Sequence, residues 1–316
     1  EGEDYLTSHE GQLKNKGKRN AAIMKHRALW GYNKYEVVRG IWKGVMVPGL
    51  TFANAVLCLK SDAISGLEVN QRTVGRLALG AHGKTTNEAV QGDMGWASFE
   101  AREAQSKRCF EGRLRAMDQS RWAAKVFRYI YMKSVDTQWR KRTRRLRTKY
   151  MKPGSAGETT KAIKNEVKGS ETTNWEKRME AKKSLDTYRI GKREITREKF
   201  FDNTKGSALL FEARAGCLRT KTLIRGQVQE ELCAGCGKEP ETMLHIVMKC
   251  KGIRPVLSEG DIQLPEALGF KVNGKVNWEA VEVSKRRLEC WWEKNRDEAR
   301  KTSQQKSQLS TKMPKS

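Results

Sequence analysis

Within eighteen residues the chain sets out Cys233, Cys236, His245 and Cys250 in the pattern C-x2-C-x8-H-x4-C. Two cysteines separated by two residues can turn both sulfurs towards one ion, and a later His and Cys close a tetrahedron. Gly235 and Gly237 ease the turn around the first pair, and Pro240 suits the first turn of a helix predicted over 241–249. Three thiolates and one imidazole select zinc. They leave a net charge of about −1 around the ion, which Lys238, Lys249 and Lys251 can offset. All four positions are filled by protein, so the expected ion is a single structural zinc with no open position to activate water. Cys217 reads as a small core residue or a stand-in ligand, and Cys58, Cys109 and Cys290 as core. Seven cysteines in a chain without a secretory signal are expected to stay reduced.

Charge decides the partner class. Lys and Arg number 63 against 37 Asp and Glu among 316 residues, a formal net charge of +26. The mean hydropathy is −0.75. A compact chain carrying this much like charge is suited to a polyanion, RNA or DNA. The densest run is Arg140, Lys141, Arg142, Arg144, Arg145, Arg147 and Lys149, with no acid among them. These seven are the candidate nucleic-acid contacts, with Trp139 and Tyr150 flanking them as candidate stacking rings or as core. The most apolar stretch, 41–59, holds Lys43, Pro48 and Asn54, so no membrane span is expected. The chain opens Glu1-Gly2-Glu3-Asp4, without Met and without a basic leader. It therefore reads as a fragment or processed piece of an intracellular protein of nucleus or cytoplasm, oligomeric state open.

Apolar spacing of three and four recurs along the chain and strand signals are few, which predicts a mainly α fold. The expected order is a basic, polar linker over 1–30, then a helical region over 31–118. Within that region Pro48 stops or kinks the first helix, and Asp62, Gly80 and Ser98 serve as caps. One long basic helix spans 119–152, capped by Ser120, with Trp122, Val126, Tyr129, Met132, Val135, Trp139, Leu146 and Tyr150 in one stripe. A flexible linker follows over 153–174. Residues 175–262 hold helices, with Leu209, Leu210, Phe211, Leu218 and Leu223 as core, and the zinc module at 230–255. A last helix lies within 263–300, and the tail 301–316 is expected to be disordered.

Several of these segments resemble the carboxyl-terminal part of reverse transcriptases of non-LTR (LINE-type) retrotransposons, tick-transposon type. Cys233-Ala234-Gly235-Cys236-Gly237, Glu241-Thr242, His245 and Cys250 are similar to that family's zinc-binding module, and Ala213 to Thr220 to the segment leading into it. Tyr35 to Lys43, Val47 to Phe52, Leu67-Glu68, Gln71, Arg76, Leu79-Gly80 and Gly95-Trp96 resemble the helical thumb. Leu264 to Phe270 and Ser284 to Glu289 resemble the end of the same reading frames. The resemblance covers about 1–295 and implies a thumb-like helical region and a nucleic-acid grip on template RNA or target DNA.

The family's palm carries an Asp-Asp metal site, and two-metal polymerase chemistry needs such clustered carboxylates. The nine aspartates here are scattered and no two are adjacent. No endonuclease-like cluster or phosphate-cradling glycine loop stands out. The expectation is a zinc-containing, nucleic-acid-binding fragment of an RNA-directed DNA polymerase, not itself an enzyme. The alternative is a zinc-stabilised assembly module for protein partners, suggested by the Trp291-Trp292 pair.

Overall fold

The computed structural model describes residues 4–26, 31–151, 159–224, 231–256 and 262–311. These residues are mainly helical. No strand occurs among them, only isolated bridges joining Leu232 to Pro240 and Val272 to Lys275. The chain divides into two compact units: Glu1–Ala78, Val90–Ala181 and Arg193–Glu198 form the first; Leu79–Ala89, Lys182–Lys192 and Lys199–Ser316 form the second.

The first unit opens with α1, Asp4–Ile23, in place of the expected linker. Leu13 packs with Leu59, Ala63 and Ile64. Its inward positions also include Glu10, Gly17 and Asn20, so the helical spacing is filled by residues that do not register as apolar. Next come α2, Lys34–Ile41, a π turn over Trp42–Met46, and α3, Val47–Leu50. Pro48 enters in the first turn of α3, where its missing N–H costs no helical bond, and the helical run stops two residues later at Leu50. Helix α4, Ser61–Leu79, takes Asp62 into its first turn, and Gly80 leaves it with a φ of 67°. Helix α5, Asn87–Met94, crosses the unit boundary. Trp42 anchors this region: its ring lies 6.1 Å from that of Trp96, and its Nε1 donates to Gln71 Oε1 at 3.3 Å.

Helix α6, Phe99–Ala116, is capped by Ser98, which accepts from the Ala101 N–H. The expected long helix after it is two: α7, Trp122–Met132, and α8, Gln138–Tyr150. Ser134 turns between them at a φ of 50°, and Thr137 caps α8 by accepting from the Arg140 N–H at 3.2 Å. Arg121, without a side-chain cap, precedes α7, while Ser120 spends its N–H on Asp118 Oδ1. Helix α9, Thr160–Glu180, occupies most of the segment expected as a linker and buries Ile163, Val167, Trp175 and Met179. Residues 152–158, with Pro153, Gly154, Ser155 and Gly157, lie outside the described residues. Ala101, Ala104, Leu146, Tyr150, Met151, Ile163 and Val167 form the core shared by α6, α8 and α9.

In the second unit a 3-10 turn at Lys183–Leu185 leads into α10, Asp186–Gly191, and then α11, Lys205–Arg214. Leu209, Leu210, Phe211 and Leu218 are buried as expected, whereas Leu223 is 57 % exposed. Arg214 is fully buried in an aromatic box, 4.1 Å from the Phe270 ring centroid and 5.1 Å from that of Phe200, and donates to the Leu268 carbonyl. Helix α12, Leu264–Ala267, and α13, Trp278–Thr311, complete the unit. α13 runs eleven residues past the expected end at 300, through much of the tail expected to be disordered; 312–316 lie outside the described residues. No helix among the described residues is long and apolar enough to cross a membrane.

Candidate metal centre and basic surface

The chain turns at Cys233 to Cys236 as a tight knuckle. The Cys233 N–H donates to the Glu239 carbonyl and the Gly237 N–H to the Cys233 carbonyl, both at 2.8 Å. Gly237 sits at a φ of 63°, a region where a side chain is strained. The Leu232–Pro240 bridge closes the loop, so Pro240 lies in the knuckle and not in the following helix. That helix is short. Thr242 begins it by accepting from the His245 N–H at 3.1 Å, and His245–Lys249 forms a π turn. The Cys250 N–H then donates to the His245 carbonyl at 2.8 Å. This i to i+5 bond explains the H-x4-C spacing. In an α-helix residues five apart diverge by about 140°, whereas a π turn stacks them. Gly252 runs against the knuckle so closely that a Cβ there would lie 2.0 Å from the Gly235 carbonyl oxygen.

These elements bring all four predicted ligands together. One ligand atom from each of Cys233, Cys236, His245 and Cys250 lies within 4.8 Å of the others. Cys233 Sγ and Cys250 Sγ are 3.8 Å apart, and Cys236 Sγ is 3.3 Å from His245 Nε2. A tetrahedral zinc with ordinary bond lengths requires sulfur–sulfur edges of about 3.8 Å and sulfur–nitrogen edges of about 3.6 Å. The donor set and its dimensions therefore fit one zinc ion. Burial pushes the Cys233 thiol up to about 12 in the absence of metal. Burial acts the same way on Cys236, but the N–H groups of Lys238 and Glu239 outweigh it and hold that thiol at about 7. His245 Nδ1 is 3.1 Å from Glu239 Oε2, off the direction of a hydrogen bond, so Glu239 is a carboxylate beside the imidazole's far nitrogen.

Sequence reasoning missed the groups that hold this module. Arg287, fully buried on α13, donates to the carbonyls of Ile246, Cys250, Ile253 and Pro255 at 2.6–3.2 Å. It, and not exposed Lys238, Lys249 or Lys251, is the buried cation beside these cysteine side chains. Glu241, also buried, accepts from the N–H groups of Lys221 and Ala234 and from Asn295 Nδ2. Cys217 is no ligand; its thiol lies 3.6 Å from Thr85 Oγ1.

The seven basic residues of α8 part company. Arg142 forms a two-pronged pair with Glu103 of α6, Nε to Oε1 at 3.0 Å and Nη2 to Oε2 at 2.7 Å. Lys149 pairs with Glu100, Lys141 with Asp136 at 2.9 Å, and Arg140 lies 5.4 Å from the Tyr131 ring centroid. Arg144, Arg145 and Arg147 have no acidic partner among the described residues, and Arg144 and Arg145 are exposed. A depression of about 490 Å³ is lined by Lys141, Arg144, Arg145, Thr148 and Lys149. The flanking rings are structural. Trp139 donates to the Ala55 carbonyl at 2.8 Å and packs on Phe110 and Phe127, and buried Tyr150 donates to Glu100. Compared with known proteins, the chain matches no family model, no curated sequence and no solved structure.

Proposed function

We propose that the chain is a nucleic-acid-gripping, zinc-containing part of a non-LTR retrotransposon reverse transcriptase, binding template RNA or target DNA without performing polymerisation. The observation that carries it is the depression on α8, where Lys141, Arg144, Arg145 and Lys149 present positive charge with two guanidinium groups left free of acids. Such a surface takes up phosphates and releases condensed counterions. The four-ligand knuckle and the segments resembling the family's thumb and terminus support the retroelement assignment. The assembly-module reading rests on Trp291 and Trp292. Trp291 is buried, which leaves no exposed aromatic pair for a partner.

The test is fluorescence anisotropy with a 20-nucleotide RNA across a salt series. Each single-strand phosphate contact adds about 0.7 to the slope of log affinity against log salt. Changing Lys141, Arg144 and Arg145 together to Gln is expected to lower that slope by about 1.4, the share of the two guanidinium groups free of acids, and to weaken all sequences alike. An unchanged slope overturns the reading. In primer extension with Mg²⁺ or Mn²⁺ the isolated chain is expected to incorporate no nucleotide.

A further inference from the structure

Helix α7 shows its apolar stripe to solvent. Trp122 is 78 % exposed, Val126 52 %, Tyr129 60 % and Met132 80 %. The helix is nonetheless firmly seated by its other face. Ala124 and Phe127 are buried, Phe127 packs on Tyr131 and Trp139, and the Tyr131 hydroxyl donates to Glu111 at 3.2 Å. The stripe is thus a stable surface held open, with its rings spaced along two turns. Trp122 and Tyr129 are seven residues apart, about 10.5 Å along the axis, which spans about three base steps of a stacked strand.

The charge around this stripe is of one sign. From Gln119 to Tyr150 the sequence holds eleven Lys and Arg and one acid, Asp136, which Lys141 already pairs. Arg121, Lys125 and Lys133 are exposed along α7, and Lys125 Nζ lies 5.2 Å from the Trp122 ring centroid. Exposed rings rimmed by cations suit a ligand that offers flat apolar faces and a regular negative backbone together. A second copy of α7 would set like charges against each other, and a bilayer would need a broader aliphatic face than this eleven-residue helix carries.

We propose that the solvent face of α7 is a base-stacking platform for single-stranded nucleic acid, with Trp122 and Tyr129 as the stacking rings and Arg121, Lys125 and Lys133 as phosphate contacts. The proposal rests on the reading of the chain as a nucleic-acid binder and adds to it the choice of single strands over duplex, since paired bases expose no ring faces for stacking. It also assigns α7 and α8 different tasks: α8 supplies charge, α7 supplies affinity for unpaired bases.

The experiment compares the wild-type chain with Trp122→Ala/Tyr129→Ala and with Lys141→Gln/Arg144→Gln/Arg145→Gln, using a labelled 20-nucleotide oligo-uridine and a 20-base-pair RNA duplex. Stacking losses of the usual size lower single-strand affinity about fivefold or more for each ring. The aromatic variant is expected to lose at least tenfold on oligo-uridine, less than twofold on duplex, and to keep the wild-type salt slope. Both rings are exposed, so its circular dichroism and melting are expected to match wild type. Wild-type affinity for oligo-uridine in the aromatic variant, with binding lost in the charge variant, sinks the platform and leaves the proposed function standing. No binding of either RNA by the wild-type chain overturns both. Two other occupants are read in the same samples. Sedimentation with phosphatidylserine vesicles, or a dimer in light scattering, that disappears in the aromatic variant while oligo-uridine binding is kept assigns α7 to a membrane or a second copy and overturns the platform.

Discussion

Arg287 makes five hydrogen bonds, all to main-chain carbonyls of the Cys/His module. Its guanidinium fork closes the carboxyl end of the π turn and would offset the excess charge of three thiolates once an ion is bound. Arg287→Met removes the cation and strands several buried carbonyls, each costing about 1–3 kcal/mol when unpaired. It is expected to speed zinc transfer to a colorimetric chelator at least tenfold and to lower the melting temperature of the second unit. Arg287→Lys, which offers a point charge without the fork, is expected to fall between. The ligands are legible in the sequence because their chemistry demands a local spacing. Arg287 is not, because nothing near it in sequence distinguishes it from exposed Arg286. Its partners lie 32–41 residues away.

At the scale of elements, α8 shows how a run of like charges divides. The sequence carries no acid among its seven cations, which predicts mutual repulsion and a common outward role. The counter-charges lie on α6, at Glu100 and Glu103, so Arg142 is consumed in helix packing with its side chain 16 % exposed beside a Glu103 that is 2 % exposed. Arg142→Gln is therefore expected to destabilise the first unit by about 1.5–3 kcal/mol, the usual worth of a hydrogen bond to a charged group, while leaving the salt slope of RNA binding nearly unchanged. Arg144→Gln/Arg145→Gln is expected to do the reverse, with urea midpoints within error of wild type and a shallower slope. The same logic explains why spacing alone joins α7 and α8 into one helix. The apolar spacing runs on through the break, but Val135 belongs to the turn after Ser134, and the α7 stripe faces water. Periodicity identifies an amphipathic face without saying what covers it.

For the whole chain, metal and charge act on different parts. Small zinc modules couple folding to their ion, and protons compete with it for thiolates, so affinity falls as pH falls. Zinc analysis of purified protein is expected to give about one equivalent. Chelation is expected to raise hydrogen exchange across 231–255 and the stretch of α13 bearing Arg287 and Asn295, with helices α6, α8 and α9 retaining protection. Exchange rising equally throughout the first unit would falsify that division. The mainly helical class is legible from spacing alone. Helices α1 and α9 are not, since α1 is seated partly through Glu10, Gly17 and Asn20, and α9 buries Glu171 among its apolar positions.

The two π turns carry a consequence for changes in chain length. A π turn is a helical turn holding one residue beyond the α register, so losing one residue there restores ordinary α geometry without rotating the downstream chain. Elsewhere in a helix the same deletion swings every later side chain by about 100°. Removing Gly44, which is exposed within Trp42–Met46, is thus expected to leave Val47 and Leu50 facing the core. Shortening His245–Lys249 by one would give H-x3-C on an α turn, whose i and i+4 positions share a face. The two seams are where single-residue length variants of this chain are expected to fold and, in the second, to keep their ion.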